Sequence, residues 1–209
     1  MDAIVAENGA VALQRSAEVF DQKSFLPNHS KREQLSKIYQ QDAATRAANY
    51  ANMQQVLAQI EREVPGARRA TDSPGRETDI AIDHSEFTHL PQEAIDHAVR
   101  IMRNAGMNAT VSSIHINGWF GEHNKLEGAR WIVQQLWGRT LGDEMNRWAY
   151  VGDSTNDQLM FQAFAHSMGV ANVQRFVPQL AHLPRYITQS ERGAGFAQVA
   201  RAILESRSP

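Results

Sequence analysis

Residues 148–160 read W-A-Y-V-G-D-S-T-N-D-Q-L-M, and this stretch decides the fold. The apolar run at 148–151 predicts a buried strand that ends in a sharp turn at Gly152. Asp153 and Asp157 follow that turn, four positions apart. In an open parallel sheet, ligands bind at the carboxyl ends of the strands. A carboxylate placed there suits a hard cation such as Mg²⁺, and the helix that follows favours an anion such as phosphate.

The same polar residues have a second interpretation, which is simple helix capping. Asp, Ser, Thr and Asn are preferred N-cap residues, and D-S-T-N-D contains all four types. Lys125 favours the ligand site, because it begins the helix that precedes the strand and could reach the same sheet edge. A lysine there would balance the charge of a phosphate and of the two carboxylates. Taken alone, Lys125 is a residue type that is commonly just solvated.

The composition excludes several classes of protein. The 209 residues carry a formal net charge of -2, so the basic surface typical of nucleic-acid binding is not expected. No apolar run approaches the roughly 18 residues that a membrane span needs. The first ten residues lack the basic and apolar regions of a secretory signal. The chain has no cysteine, which excludes disulfides, thiolate zinc sites and a cysteine nucleophile. We therefore expect a cytoplasmic protein without nucleic-acid or membrane partners.

The second part of the chain predicts a parallel sheet. Residues 125–209 alternate helical and strand-like patterns, which is typical of strands connected by covering helices. The predicted elements are a helix from Lys125 to Gly138, strands at 148–151 and 168–171, a helix after Asp157 and a closing helix at 193–204.

Residues 13–117 predict a separate α+β unit. One helix face carries Tyr50, Met53, Leu57, Ile60 and Val64 at spacings of three and four, and Pro65 and Gly66 end it. Residues 77–83 alternate as a half-buried strand does, Pro91 begins another helix, and 109–116 predicts one further strand. The boundary between the two units is expected near Asn117 and Gly118.

Two motifs with this spacing resemble those of a known family. The pairing of Lys125, in H-N-K-L-E-G-A-R at 123–130, with G-D-S-T-N-D at 152–157 resembles the haloacid dehalogenase-like (HAD) phosphatases. The more similar subgroup is type IIB, which includes the Cof-like and sucrose-phosphate phosphatase-like hydrolases. A-E-N-G-A-V at 6–11 also resembles that subgroup, where it leads into the cap domain. The resemblance extends over essentially the whole chain.

The resemblance implies an α/β fold and a hydrolytic reaction. The implied core is Rossmann-like, a parallel sheet with helices on both faces, formed by residues 1–12 and 118–209. An α+β cap of type C2B, residues 13–117, is inserted into it. The implied activity is Mg²⁺-dependent hydrolysis of a phosphate monoester through an aspartyl-phosphate. The implied partner is a small phosphorylated metabolite such as a sugar phosphate, and a homo-oligomer is compatible with the family.

The resemblance also implies roles for individual residues. Lys125 and Asp157 would be catalytic, with Lys125 stabilising charge on the transferred phosphoryl group. Asp153 and Asn156 would hold the metal. The residues implied in substrate binding are Asn8, Asn124 and Ser154. For Asn8, a turn role beside Gly9 is an equal alternative.

One essential part of the implied site is absent from the sequence. The family nucleophile is the first aspartate of a D-x-D-x-T motif on a central strand before the A-E-N-G-A segment, and no D-x-D occurs among the 209 residues. The phosphate-binding Ser or Thr of the next strand is expected in the same missing part. Three explanations are open: a truncated product or mis-assigned start, which we favour, a deliberate fragment, or a sheet completed by another chain. Without that strand, the strands at 148–151 and 168–171 are expected to lose a neighbour.

The missing motif leaves a second functional hypothesis open. The chain as given would then be a non-catalytic or truncated protein of the same ancestry, which binds metal, phosphate or a partner without turnover. The absent D-x-D favours this hypothesis, whereas Lys125, Asp153 and Asp157 favour the enzyme.

The remaining polar residues favour ordinary roles. One acidic stretch could contact a sugar, but we favour its interpretation as a solvent-facing strand edge. The stretch comprises Glu77, Asp79, Asp83, His84 and Glu86. His115 is expected to pack in the core. Trp119 and Phe120 are expected to pack at the junction of the two units, with a hinge as the alternative.

Overall fold

The N-terminal part of the protein is an antiparallel meander. A computed structural model describes residues 2–15 and 35–206. Strands β1 (Ala3–Ala6), β2 (Val11–Arg15) and β3 (Leu35–Tyr39) pair in that order. A single 3-10 turn at Glu7–Gly9 joins the first two strands. Within the described ranges, no helix has the length and apolar character that a membrane crossing requires.

A four-stranded antiparallel sheet follows, covered by two helices. Its order is β4-β5-β7-β6, and the helices are α1 and α2. The elements are α1 (Ala43–Glu63), β4 (Arg68–Arg69), β5 (Ile80–Asp83), α2 (Gln92–Asn104), β6 (Asn108–Val111) and β7 (His115–Trp119). Four residues of the predicted helix face are buried in one cluster with Ile82, Met102 and Ile116, namely Met53, Leu57, Ile60 and Val64. The prediction is wrong for Tyr50, which is 45% exposed. Each such side chain contributes about 1.5–3 kcal/mol by leaving water, so this cluster dominates the stability of the unit.

The single strand predicted at 109–116 is wrong, because these residues form the β6–β7 hairpin. Ser112 makes the turn, where its hydroxyl accepts a hydrogen bond from the His115 amide at 2.9 Å. Serine hydroxyls satisfy turn amides in this way, which the alternation of apolar residues does not reveal. Strand β7 continues to Trp119, just past the boundary expected near Asn117 and Gly118. The division into two units stays a prediction.

The C-terminal part confirms the predicted parallel sheet. Strands β8, β9 and β10 pair in the order β10-β9-β8, and both pairings are parallel. The elements are α3 (Lys125–Trp137), β8 (Ala149–Gly152), α4 (Gln158–Ala163), β9 (His166–Gly169), β10 (Tyr186–Ile187) and α5 (Arg192–Glu205). Helix α3 ends at Gly138, whose φ of 62° is the left-handed conformation that glycine adopts without strain.

One edge of this sheet borders an apolar groove. Among the described residues β8 pairs only with β9, whereas β9 pairs with a strand on both sides. The loss of a neighbour, which the sequence led us to expect for both strands, is therefore found for β8 and not for β9. A cavity of about 260 Å³ lies between β1 and β8, and we call it the β1–β8 groove. Its lining includes Val5, Ile132, Trp137, Tyr150 and Phe164. An unpaired strand edge beside an apolar groove is a surface on which another strand can pair.

Candidate active site

The turn after β8 depends on a close approach that only glycine permits. A Cβ atom at Gly152 would lie 2.7 Å from the Asp157 Cγ, so the Asp157 carboxylate folds back against the end of the strand. Asp157 Oδ2 accepts hydrogen bonds from the Asp153 amide at 2.7 Å and the Ser154 amide at 3.1 Å. Ser154 and Asp157 form a capping box. The capping interpretation is therefore correct, and it coexists with the candidate site.

Gly152→Ala is expected to lower the free energy of unfolding by about 1–3 kcal/mol, the usual cost of forcing a methyl group into a packed site. The new Cβ would push Asp157 away from its partners. Urea unfolding would measure the change. Gly142→Ala is the matched control, because a Cβ there meets nothing within 4 Å. Equal stability losses in the two variants would contradict this account of the turn.

Lys125 and Asp157 form the centre of the site. Lys125 Nζ donates to Asp157 Oδ1 at 2.5 Å and to Asn156 Oδ1 at 3.1 Å. The Tyr150 hydroxyl also donates to Asp157 Oδ1, at 2.5 Å. Asp157 is only 2% exposed, and that burial raises its pKa. The positive charge of Lys125 and the hydrogen bonds from Lys125, Tyr150 and the Asp153 amide outweigh the burial and hold the pKa of Asp157 below its ordinary value. Asp157 is therefore an ionised carboxylate that fixes the Lys125 ammonium group.

Asp153 lies beside this pair and has a different environment. Its Oδ2 accepts a hydrogen bond from Asn172 Nδ2 at 2.9 Å, and Ser154 Oγ lies 3.3 Å from its Oδ1. Within the described part of the chain, Asp153 has no ion pair of 4 Å or less. Asn172 is buried and also accepts a hydrogen bond from the Arg192 amide at 3.2 Å. Asp153 is thus an oriented carboxylate that forms no ion pair with any cation in residues 2–15 and 35–206.

The side-chain oxygen atoms at this turn fit Mg²⁺ better than a metal whose ligands must all come from the protein. Mg²⁺ typically takes one or two carboxylates and completes its shell with water and phosphate oxygens. Residues 2–15 and 35–206 contain no cluster of three or more His, Cys, Asp or Glu that could hold a metal. Asp153 supplies the single carboxylate that Mg²⁺ needs when water and phosphate complete its shell. Asn156 Oδ1 already accepts hydrogen bonds from Lys125 and from Ser154 Oγ, the latter at 2.9 Å, so the geometry favours holding Lys125 over the predicted metal contact.

The three residues predicted to bind substrate are placed differently from one another. Ser154 is 1% exposed and donates to Asn156, which favours a positioning role over contact with substrate. Asn124 Oδ1 caps α3 by accepting from the amides of Leu126 and Glu127 at 2.9 and 3.0 Å. Asn8 and Asn124 both line a cavity that contains Lys125, so these two are positioned to reach a ligand.

The Glu7–Gly9 turn connects the site to the four-stranded antiparallel sheet. Glu7, Asn8 and Gly9 have φ values of 49°, 55° and 101°, a left-handed run that costs energy at the two non-glycine positions. Gly9 packs directly on Gly128 of α3. A Cβ atom added to Gly128 would lie only 2.5 Å from the Gly9 Cα. Asn8 Nδ2 donates to the buried carboxylate of Asp79 at 2.9 Å. The turn therefore places Asn8 between the first turns of α3 and the chain that enters β5.

The interpretation of the acidic stretch as a solvent-facing edge is wrong for two of its members, because Asp79 and Asp83 are buried. Burial raises the pKa of Asp79 to about 6, although Arg76 donates to it at 2.7 Å. Asp83 accepts four backbone hydrogen bonds from residues 85–88 and orders that loop. His115 is buried as predicted, and its Nε2 lies 2.8 Å from Glu86 Oε2. Trp119 is buried too, as packing requires.

Sequence reasoning missed Asn172 and Tyr150. Asn172 follows β9, the strand next to β8, so its position at the carboxyl end of a parallel strand was an available signal. Tyr150 alternates within β8 and reads as an ordinary strand residue. Its contact with Asp157 depends on the fold of the turn and leaves no trace in the sequence.

Comparison with solved structures shows the fold. No protein-family model and no curated protein matches the sequence. A Thermoplasma acidophilum protein matches over 97% of this chain and 72% of its own, with 13% identity and a TM-score of 0.65. The sucrose-phosphatase of Synechocystis, in complex with sucrose and phosphate, matches over 81% and 70%, with 17% identity and a TM-score of 0.55. A haloacid dehalogenase-like hydrolase from B. subtilis matches over 95% and 78%, with 12% identity and a TM-score of 0.54. The chain thus has the mixed α/β fold of the HAD-like hydrolases.

Proposed function

We propose that this chain carries the phosphate- and metal-binding part of a Mg²⁺-dependent phosphate-monoester hydrolase. The observation that carries the proposal is the 2.5 Å contact between Lys125 Nζ and Asp157 Oδ1, beside Asp153, at the carboxyl end of a parallel strand. A fixed cation next to an unneutralised carboxylate is what a phosphoryl-transfer site needs, since one binds the phosphate oxygens and the other a metal. The HAD-like fold supports the same reaction class.

The residues of the chain divide the work. Lys125 would donate to the phosphate oxygens and stabilise the charge that they gain as the ester bond breaks. Asp157, Asn156 and Tyr150 hold Lys125 in place through the contacts described above. Asp153, oriented by Asn172, would hold Mg²⁺, which when bound neutralises phosphate charge. Substrate would enter over Asn8 and Asn124.

The nucleophile is the part that these 209 residues do not supply as a D-x-D motif. The β1–β8 groove offers it a place. Tyr150 lines the groove and also donates to Asp157, so the groove runs beside the Lys125–Asp157 pair. A strand paired to β8 in parallel would bring its carboxyl end to that pair. We propose that a strand carrying the nucleophilic aspartate lies in this groove.

The proposed substrate is a small phosphorylated metabolite such as a sugar phosphate. The likeness to a sucrose-phosphatase supports this class. We also propose that the protein is cytoplasmic and has no nucleic-acid or membrane partner. A homo-oligomer is compatible with this proposal.

The experiment adds a strand that carries the nucleophile motif. A segment containing D-x-D-x-T would be joined through a flexible linker to the N-terminus, and Mg²⁺-dependent phosphate release would be measured with an aryl phosphate and several sugar phosphates. We expect no release from the chain alone, release with the segment, and loss of that release on Asp153→Asn. Replacing both aspartates of the segment with asparagine is the control. Turnover by the chain alone that vanishes on Asp153→Asn would place the nucleophile elsewhere and contradict the groove proposal.

A second candidate function is favoured by the absence of any D-x-D in the sequence. In that case the chain binds phosphate and metal but does not catalyse turnover. The two candidates differ in one result. The non-catalytic candidate would be favoured if phosphate binding depends on Lys125 but no phosphate is released when the D-x-D-x-T segment is joined to the chain.

A further inference from the structure

A buried carboxylate, that of Asp79, reaches the cavity beside Lys125 through the side chain of Asn8. Asn8 and Lys125 both line this cavity, which measures about 250 Å³. Asp79 is 2% exposed. Its Oδ1 accepts a hydrogen bond from Arg76 Nη1 at 2.7 Å, and its Oδ2 accepts one from Asn8 Nδ2 at 2.9 Å. The Asn8 amide is therefore the link between Asp79 and the candidate site.

The backbone of the Glu7–Gly9 turn is held to the same segment as its side chain. Glu7 Oε2 accepts a hydrogen bond from the Glu77 amide at 3.0 Å, and it accepts from both the amide and the hydroxyl of Thr78 at 2.5 Å. These contacts and the Asp79 contact fix where Asn8 lies. What remains variable is which end of the Asn8 amide faces Asp79.

The charge of Asp79 decides that orientation. An ionised carboxylate only accepts hydrogen bonds, so the NH₂ group of Asn8, and not its oxygen, must face it. Among the described residues no donor contacts Asn8 Oδ1, and this oxygen is not one of the buried side-chain atoms without a partner, so it is accessible. Because Asp79 holds Nδ2, Oδ1 is the end of the amide that is left for the cavity.

A proton on Asp79 would reverse the Asn8 amide. Arg76 would keep one oxygen of Asp79 as its acceptor, and the protonated oxygen would donate to Asn8 Oδ1. Asn8 Nδ2 would then take the accessible position, where it can donate to an anion. Burial raises the pKa of Asp79 to about 6, although Arg76 and Asn8 oppose this, so the reversal is expected between about pH 7 and about pH 5.

Several charged and titratable groups surround Asp79 and set this range. The negative charge of Glu7 raises the pKa of Asp79, and the positive charge of Arg76 lowers it. Arg76 is shared with Asp72, to which it donates twice, at 2.9 and 2.8 Å. Asp79 also lines a second cavity of about 350 Å³, whose other titratable lining residues are Arg69 of β4 and Tyr50 of α1, besides Arg76.

From these contacts we infer that Asp79 is a positioning residue for Asn8: its ionised form presents the Asn8 carbonyl oxygen to the Lys125 cavity, and its protonated form presents the Asn8 NH₂ group instead. The oxygens of an anion accept hydrogen bonds, so the ionised form withholds a donor from a bound anion and the protonated form supplies one. The inference rests on the proposed function, because it needs the anion to bind at Lys125. It gives Asp79 a role in anion binding.

The test is the sulfate affinity of the full chain, measured by calorimetry without Mg²⁺ from about pH 8 to about pH 5. Sulfate suits it because its own charge does not change in this range. We expect the affinity to rise about tenfold as the pH falls through about 6, since one hydrogen bond is worth about tenfold, and we call this rise the pH step. Lys125→Met should weaken sulfate binding at every pH.

Two variants separate positioning from a structural role. Asp79→Asn keeps one acceptor oxygen, which Arg76 takes, so its NH₂ group must face Asn8 and hold the amide in the reversed orientation. This variant should bind sulfate tightly at every pH, without the pH step. Asn8→Gly removes the amide and fits the φ of 55° at this position, so the fold should be kept while the pH step disappears.

Asp72→Asn is the matched control for the loss of a carboxylate beside Arg76. The Asp72 side chain pairs with Arg76 as Asp79 does, but it is 56% exposed, and it makes no hydrogen bond to Asn8 in the described part of the chain. This variant should keep the pH step.

The outcomes distinguish this inference from the proposed function. If sulfate binds through Lys125 but shows no pH step in the unaltered chain, or if the same step persists in Asp79→Asn or Asn8→Gly, the inference is wrong and the proposed function stands. If sulfate binds the unaltered chain at no pH, or binds without any loss on Lys125→Met, the proposed function and the inference are both wrong.

Discussion

Lys125→Met is expected to weaken phosphate binding by about 100-fold and to destabilise the folded chain. The affinity falls because a fixed ammonium group contributes roughly 1.5–3 kcal/mol through its charged hydrogen bonds to phosphate. The stability falls because Asp157, which is 2% exposed, would keep its charge without the cation that offsets its burial. Removing one partner of a fully buried pair costs about 3–5 kcal/mol. Because the Lys125 side chain is 34% exposed, we expect a smaller loss of about 2 kcal/mol.

The pH dependence of this loss has a definite sign. The pKa of Asp157 is lower in the folded chain than its unfolded value of about 3.9, so the stabilisation is complete above that value and disappears as the pH falls through the folded pKa. The stability difference between the unaltered chain and Lys125→Met should therefore be largest near neutral pH and shrink as the pH falls toward and below about pH 4. Urea unfolding at several pH values would measure it.

The matched control is Arg130→Met on the same helix. Arg130 pairs with Glu127 at 2.6 Å, but both side chains are more than 40% exposed, and such surface pairs contribute about 0–1 kcal/mol. Equal losses for Lys125→Met and Arg130→Met would contradict the role assigned to the buried pair.

A strand supplied to the β1–β8 groove is expected to raise the free energy of unfolding by about 3–6 kcal/mol, if it buries two apolar side chains at about 1.5–3 kcal/mol each. The groove is lined by apolar side chains of β1, α3, β8 and α4, and one edge of β8 has no partner strand among the described residues. Denaturant unfolding would measure the gain, and hydrogen exchange would show whether the amides of β8 become protected.

Two segment variants test the specificity of this docking. A segment with N-x-N in place of D-x-D should stabilise the chain equally but give no turnover, which separates docking from chemistry. A segment with lysines at the apolar positions should lose the gain, because most of the groove lining is apolar and Asp2, its one carboxylate, is exposed. No added protection of β8 with the D-x-D-x-T segment would contradict the docking proposal.

The sequence predicted the centre of the candidate site because that centre is local. Asp153 and Asp157 share one turn, and Lys125 begins a helix that a parallel sheet must bring to the same edge. The burial of Asp79 was not predictable in this way. Asp79 alternates within a stretch typical of a half-exposed strand, but Asn8, 71 positions away in sequence, and Arg76 cover it. Contacts between distant segments of this kind are set by the tertiary fold and not by local pattern.

The roles of Asn156 and Ser154 show a second reason why prediction was incomplete. Both belong to the recognised motif, so their proximity to the site followed from the sequence. Which group each one contacts depends on side-chain directions within a single 3-10 turn, where Ser154 donates to Asn156 and Asn156 accepts from Lys125. The spacing of residues in a motif does not encode those directions.

The most direct measurement is phosphate affinity of the full chain, with and without Mg²⁺, for the unaltered protein, Lys125→Met and Asp153→Asn. The central claim is that Lys125 binds phosphate and Asp153 binds the metal in one site. It predicts that Mg²⁺ strengthens phosphate binding in the unaltered chain, that Asp153→Asn removes this strengthening, and that Lys125→Met loses about 100-fold in affinity. Phosphate affinity that is the same in all three proteins and indifferent to Mg²⁺ would contradict the claim.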